Sequence, residues 1–496
     1  MIRLQHTVKR CIIRSFEHLQ PFCGSHIRAL DEIMAYDIID LSARLTVIVN
    51  DDDGFVAMIN LPPAEGHSLV NLLQARLDFW IEPEYKGRHI RALVELSQIT
   101  AQYPDYMSLR GIGIEYGPAA GNGFGEVYRG RLGGQKLAIK VLRVLRRMKD
   151  TKSMQGTFLR KAVMWRQLSH PNVLPFLGLY RLERSPPLMC LLTPWVENGN
   201  LAEYLNKFPN TNCLHLSLDI AQGLEYLHGM QIVHGNLKGP NILISPSGRA
   251  CLADTGQAAP KNIKDLLMTD TILGTEGTLK WRAPELLLAK SNDDTRLVTQ
   301  ATDVYAFAMV CYEMFSGELP FRDFSDQKLA SALVQGERPP RPFHPLSRLR
   351  GLDDDMWDVV EVCWNQDAEK RLEASQVVEC LRQFLRFVID IRPPYSNMAP
   401  KSLMWYKQED HPFCALAPAP EDNDTLKRLK HISKGDNSGL ANNNQIYPPS
   451  TYIEDGEFCR SLHSYNVILS YIPQPTMTHA RPLRRNPLSR SLFPLI

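Results

Sequence analysis

The distribution of apolar residues between Ile112 and about Ile391 constrains the fold more than any other feature of the chain. Short strand-like runs come first and long helical patterns follow, an order that suits one domain with a small β-rich lobe and a large helical lobe. We therefore expect an α+β, bilobal architecture over residues 106–391. The most apolar stretch, Val304 to Tyr312, ends at Glu313 and is too short to span a bilayer, so it reads as a buried helix.

The flanks differ in character. Within residues 1–105, Leu69, Leu72, Leu73, Leu77 and Trp80 recur at helical spacing, as do Ile90, Leu93 and Val94, so this region is expected to be mainly helical. Leu45 to Val49 and Phe55 to Ile59 bracket Asn50-Asp51-Asp52-Asp53-Gly54, which reads as a hairpin around an exposed acidic turn. The three aspartates lack the remaining ligands of a calcium loop. From residue 392 to 496 prolines recur, Asn442-Asn443-Asn444-Gln445 appears and hydrophobic periodicity vanishes, the composition of a disordered tail. Arg481, Arg484, Arg485 and Arg490 with Ser489 and Ser491 read as part of that solvated tail, with a basic docking or phosphorylation segment as the alternative.

At 496 residues and 44% hydrophobic content the chain can bury a sizeable core. Its formal net charge of +2 gives no single-sign field of the kind that binds nucleic acid or anionic lipid, so a protein partner or protein substrate is expected. Ten cysteines, scattered singly from Cys11 to Cys459 without zinc-site spacing, fit a reduced intracellular chain, and the cytoplasm is the expected location. Arg3, Lys9, Arg10 and Arg14 form a basic, acid-free start that could serve as an organelle presequence, a less favoured reading.

Five motifs carry chemistry. Ala120-Gly121-Asn122-Gly123-Phe124-Gly125-Glu126-Val127 is a glycine-rich turn whose backbone amides can approach phosphate closely. Leu137-Ala138-Ile139-Lys140 places a lysine on a strand, and His234-Gly235-Asn236-Leu237-Lys238-Gly239-Pro240-Asn241 is followed by Asp254-Thr255-Gly256. Ala283-Pro284-Glu285 completes the series. In that order and spacing these segments resemble a protein kinase of the tyrosine-kinase-like group, over residues 112–391.

The resemblance implies an ATP site built from Gly121, Gly123, Gly125, Val127, Ala138 and Lys140, with Thr193, Pro194 and Val196 at the inter-lobe hinge. Aligned on Phe124 and Val127, the first two family glycines are Ala120 and Asn122, and Gly121 and Gly123 supply the flexibility one position away. It also implies magnesium held by Asn241 and Asp254, whose oxygens suit that ion. Glu285 is expected to bridge to Arg371, and Asp303 to anchor the catalytic-loop backbone.

Four departures bear on activity. Asn236 occupies the place of the catalytic aspartate, and an amide will not take up a proton near neutral pH. Lys161 occupies the place of the glutamate that pairs with Lys140, nine positions before His170. Two ammonium groups about 4 Å apart repel by roughly 4 kcal/mol at an effective dielectric near 20, so we expect either a displaced helix with Lys161 facing solvent or a bound anion, both lysines then clamping ATP phosphates in an altered geometry. The first is favoured, because lysine is ordinarily exposed. Thr255 lacks the ring that seats this helix, and Gly235 removes an arginine that receives activation-loop phosphate.

The expected function is an ATP-binding pseudokinase that signals through protein contacts. The alternative is an active serine/threonine kinase with an atypical catalytic loop, a specificity suggested by Lys238 and Thr278; a scaffold without nucleotide would need a blocked pocket.

Overall fold

In this computed structural model the described residues are 41–78, 81, 83–122, 125–142, 151–182, 188–254, 278–288 and 298–393. The basic N-terminal segment, Trp80, Gly123, Phe124, Thr255, Gly256 and the tail beyond 393 lie outside them, so the expectations attached to those residues do too.

The stretch read as a hairpin is helical instead. Residues 41–50 are helical, and Asp51 starts helix α1 (Asp52–Ile59) by accepting the Gly54 amide at 2.7 Å. Asp52 and Asp53 fall in its first turn, where negative charge meets the positive end of the helix dipole. The acidic run is thus a helix start rather than a β-turn, because an aspartate can satisfy the orphan amides of a helix as readily as it can turn a strand.

Helices α2 (Pro63–Leu77) and α3 (Pro83–Thr100) follow, with the expected stripe residues Leu69, Leu73, Ile90, Leu93 and Val94 buried and Leu72 and Leu77 partly so. Their apolar faces share one core with helix α4 (Thr151–Arg166), whose Phe158, Leu159, Ala162, Val163 and Trp165 are all buried. Polar contacts fix the docking: Arg160 donates to the Gln98 side chain at 2.8 Å, Gln167 to Gln74 at 2.6 Å, and Arg166 pairs with Asp78 at 3.1 Å.

Strands β1 (Gly113–Asn122), β2 (Gly125–Leu132), β3 (Gln135–Leu142), β4 (Gly178–Leu182) and β5 (Leu188–Pro194) make an antiparallel sheet in the order β1-β2-β3-β5-β4. Alternation along β3 decides what faces the cleft. Leu137, Ile139 and Val141 pack into a core on one face with Tyr128, Cys190 and Leu192, which leaves Ala138 and Lys140 on the other.

The larger lobe is helical, built on α5 (Cys213–Gly229), α6 (Gln300–Ser316), α7 (Asp354–Cys363) and α8 (Ala374–Leu385). The α+β, bilobal expectation therefore holds. Helix α6 contains the apolar stretch from Val304 and is buried along its length, with Thr299 capping its start. A two-stranded ribbon, β6 (Ile242–Ile244) with β7 (Ala250–Leu252), brings Asn241 and Asp254 together at one end. Among the described residues, no helix is long and apolar enough to cross a membrane.

Candidate active site

The glycine-rich segment is a strand hairpin, with Ala120 opposite Val127, Gly121 opposite Glu126 and Asn122 opposite Gly125. In the next ladder Val127 lies opposite Lys140, and Ala138 lies between Arg129 and Thr193, so these candidate residues converge on neighbouring strands. Strand β5 ends at Pro194, where the missing amide costs no ladder bond, and the Trp195 amide then donates to the Lys136 carbonyl at 3.1 Å. Thr193, Pro194 and Val196 are all buried at this crossing.

Asp303, in the first turn of α6, accepts the His234 amide at 2.7 Å, the Gly235 amide at 2.8 Å and His228 Nε2 at 2.9 Å. It anchors the catalytic-loop segment as expected. His234 Nδ1 accepts the Asn236 amide at 3.2 Å, which puts the ring proton on Nε2, where it donates to the Ala253 carbonyl at 3.0 Å. Burial holds this imidazole below its usual pKa, consistent with a neutral ring. Gly235 has φ 72°, a left-handed conformation in which a side chain is strained. The Asn241 side-chain amide donates to the Asn236 carbonyl at 2.7 Å, and the Ala253 amide donates to the Asn241 carbonyl at 2.8 Å. The segment is thus an ordered loop, with Lys238 buried at its centre.

The charges are arranged in a way the sequence did not foretell. Helix α4 is not displaced, and Lys161 does not face solvent. Its ammonium lies 3.1 Å from Asp254 Oδ1, while Lys140 lies 2.8 Å from Asp254 Oδ2. The anion between the two lysines is a residue of the chain itself. At about 3 Å each contact is worth roughly 5 kcal/mol of attraction on the dielectric that gives the lysine pair its repulsion, so the trio closes where the bare pair would not. Burial raises the Asp254 carboxyl pKa, but the two ammonium groups outweigh that and hold it well below the usual range. Asp254 adopts φ 62°, an uncommon conformation for a residue with a side chain.

Asn241 and Asp254 offer the hard oxygens magnesium prefers, and the ribbon sets them side by side. Both carboxylate oxygens of Asp254 already hold ammonium groups, however, and a divalent ion placed there meets two like charges. As arranged, the donor set does not fit that ion.

Residues 116–381 match the family model for protein tyrosine and serine/threonine kinases. The chain belongs to the protein kinase family. Relatives include serine/threonine/tyrosine-protein kinase HT1 of Arabidopsis thaliana, 29% identical over 52% of this chain and 63% of that protein. Serine/threonine-protein kinase TNNI3K of Mus musculus is 30% identical over 60% of this chain and 34% of its own length. Ephrin type-B receptor 3 of Danio rerio is 32% identical over 53% and 51%. The chain thus spans less than two thirds of each. Protein kinases generally use ATP with magnesium and act on proteins.

Two further features of this kinase domain stand out. Glu285 and Arg371 form the expected bridge in bidentate geometry, at 2.6 and 2.8 Å, with the arginine side chain fully buried. Glu313, which in the sequence marks only the end of an apolar stretch, is buried and ties the catalytic loop to the later segment. It accepts Trp281 Nε1 at 3.1 Å and the Gly239 amide. The signal was an acid one residue beyond a run of apolar ones, which ordinarily means a surface.

Burial pushes the Glu313 carboxyl up to about 7, against the opposing hydrogen bonds. A carboxyl raised by folding contributes its stability in full below its unfolded value and loses it as pH climbs through the folded one. The window here runs from about 4.5 to about 7. Chemical unfolding of wild type should therefore lose roughly 3 kcal/mol more than Glu313→Gln between about pH 5 and pH 8. Parallel profiles would mean that Glu313 ionises as easily as an exposed glutamate.

Proposed function

We propose that this protein kinase relative is a nucleotide-binding pseudokinase with impaired phosphotransfer, acting inside the cell through protein contacts. The observation that carries the reading is the Lys161 ammonium seated on Asp254, where the family has a carboxylate seated on Lys140. It removes the anion that positions Lys140 and occupies the carboxylate that serves the metal. Asn236 adds a second loss, since general-base help is worth about 10²- to 10⁴-fold.

Neither loss touches the adenine side of the cleft. Ala138, Thr193, Pro194 and Val196 would take the base, Lys140 the phosphates, and Gly121, Gly123, Gly125 and Val127 would cover them. Lys238 would neutralise a substrate oxygen in any residual transfer, and Asn241 supports the loop through the Asn236 carbonyl. The second reading, a slow serine/threonine kinase in which Asn236 only orients the hydroxyl, is favoured by the intact anchoring of the loop on Asp303.

Labelled γ-phosphate transfer from Mg-ATP by the purified full chain, to itself and to a generic protein, separates the two. The expected result is no transfer above that of Asp254→Ala. Transfer that vanishes in Asp254→Ala would overturn the pseudokinase reading and establish the active one.

A further inference from the structure

In the cleft, Lys140 and Lys161 face one carboxylate, so the cluster carries one net positive charge. A glutamate at position 161 would have left it with one net negative charge, and a polyanion could then enter only behind a cation. The loop from His234 to Asn241 contributes no carboxylate, because Asn236 is an amide and His234 is neutral, while Lys238 adds a further ammonium. The substitutions at 161 and 236 therefore change one quantity together: the cleft has lost two negative charges and gained a positive one.

The ammonium groups remain reachable. Lys140 and Lys161 are 24% and 22% exposed, against 17% for the Asp254 side chain between them. Lys161 is also held in place, since α4 is pinned from behind by the Arg160 contact with Gln98 and by the close approach of Gly156 to the Gln98 carbonyl.

We infer that this site binds a nucleoside triphosphate without a divalent cation, with Lys161 supplying beside the phosphates the charge that a metal ion supplies elsewhere in the family. The inference rests on the nucleotide-binding reading above and specifies the form of its ligand. Lys140 and Lys161 bridge phosphate oxygens, and Asp254 keeps the two ammonium groups from driving each other apart. Magnesium complexed to the nucleotide competes with the lysines for the same oxygens.

Calorimetric titration of the full chain with ATP, in excess EDTA and then in excess magnesium chloride, tests this. The expected result is binding in EDTA as tight as, or tighter than, binding in magnesium, with adenosine weaker than ATP by about tenfold or more. Lys161→Glu should reverse the order, weakening binding in EDTA by roughly tenfold and making magnesium favourable. Lys161→Met, which adds no charge, should weaken binding in EDTA without making magnesium favourable, and guards against a misfolded glutamate variant. Wild-type binding that requires magnesium, or binding in EDTA indifferent to both variants, would overturn the inference while leaving nucleotide binding intact. No binding of ATP under either condition would overturn both.

Discussion

Asn236→Asp combined with Lys161→Glu should lift γ-phosphate transfer from Mg-ATP to about 10²-fold or more above the Asp254→Ala background, the lower end of what a general base contributes once Asp254 is free. The backbone at Asn236 is already held on both sides, its amide on His234 Nδ1 and its carbonyl on the Asn241 amide, so an isosteric aspartate needs no rearrangement. Helix α4 is already inward. A glutamate at 161 occupies the place of an ammonium that sits 3.1 Å from one Asp254 oxygen while Lys140 holds the other, which brings a carboxylate within reach of Lys140 and releases Asp254. Each single variant should fall far short of the pair. Asn236→Asp alone leaves Asp254 clamped, and Lys161→Glu alone leaves no base, so the effects multiply only when both are present. The measurement is labelled phosphate on the full chain, with unfolding curves to show that the variant is folded. A silent but folded double variant would locate the loss elsewhere in the chain.

Why the lobes and the loop were legible, and the charge arrangement was not, follows from the range of the interactions. Leu137, Ala138, Ile139 and Lys140 announce a strand with one face buried, and the ladder obliges. Asp303 announces a helix start, and its carboxylate lies near enough in the fold to a fixed backbone segment that only one partner set is available. Lys161 was different. Its sequence neighbours say only that it lies on a helix, and pairwise repulsion with Lys140 argued for a helix swung away. The third charge, 93 residues distant along the chain, reverses that sign. The acidic run at Asp51 to Asp53 failed for the opposite reason, since its local chemistry is equally good for a turn and for a helix cap. What decided it was the apolar face that α1 shares with α3, which no window of that length contains.

Gly156→Leu should destabilise the protein by about 3 kcal/mol or more, and release Lys161 from Asp254 with it. Glycine inside a helix ordinarily costs about 1 kcal/mol relative to alanine, so at an exposed position larger residues stabilise. Position 156 is buried between α4 and α3. A Cβ there would lie 2.4 Å from the Gln98 carbonyl oxygen and 3.3 Å from its carbon, atoms of a helix backbone that cannot yield as a side-chain tip can. Even Gly156→Ala should lower the unfolding midpoint, the reverse of the usual sign, and leucine must lever α3 away from Phe158, Leu159 and Val163. Arg160→Ala, which removes one hydrogen bond to Gln98 and leaves the packing, should cost about 1 kcal/mol. Denaturant unfolding of the full chain reads all three. If Gly156→Ala is neutral or stabilising, α3 does not seat against α4 in solution, and the inward position of Lys161 must then be held by Asp254 alone. If the expected order of alanine below leucine in cost is found, α3 seats against α4 at Gly156, and the N-terminal helices share one packed core with the helix that carries Lys161.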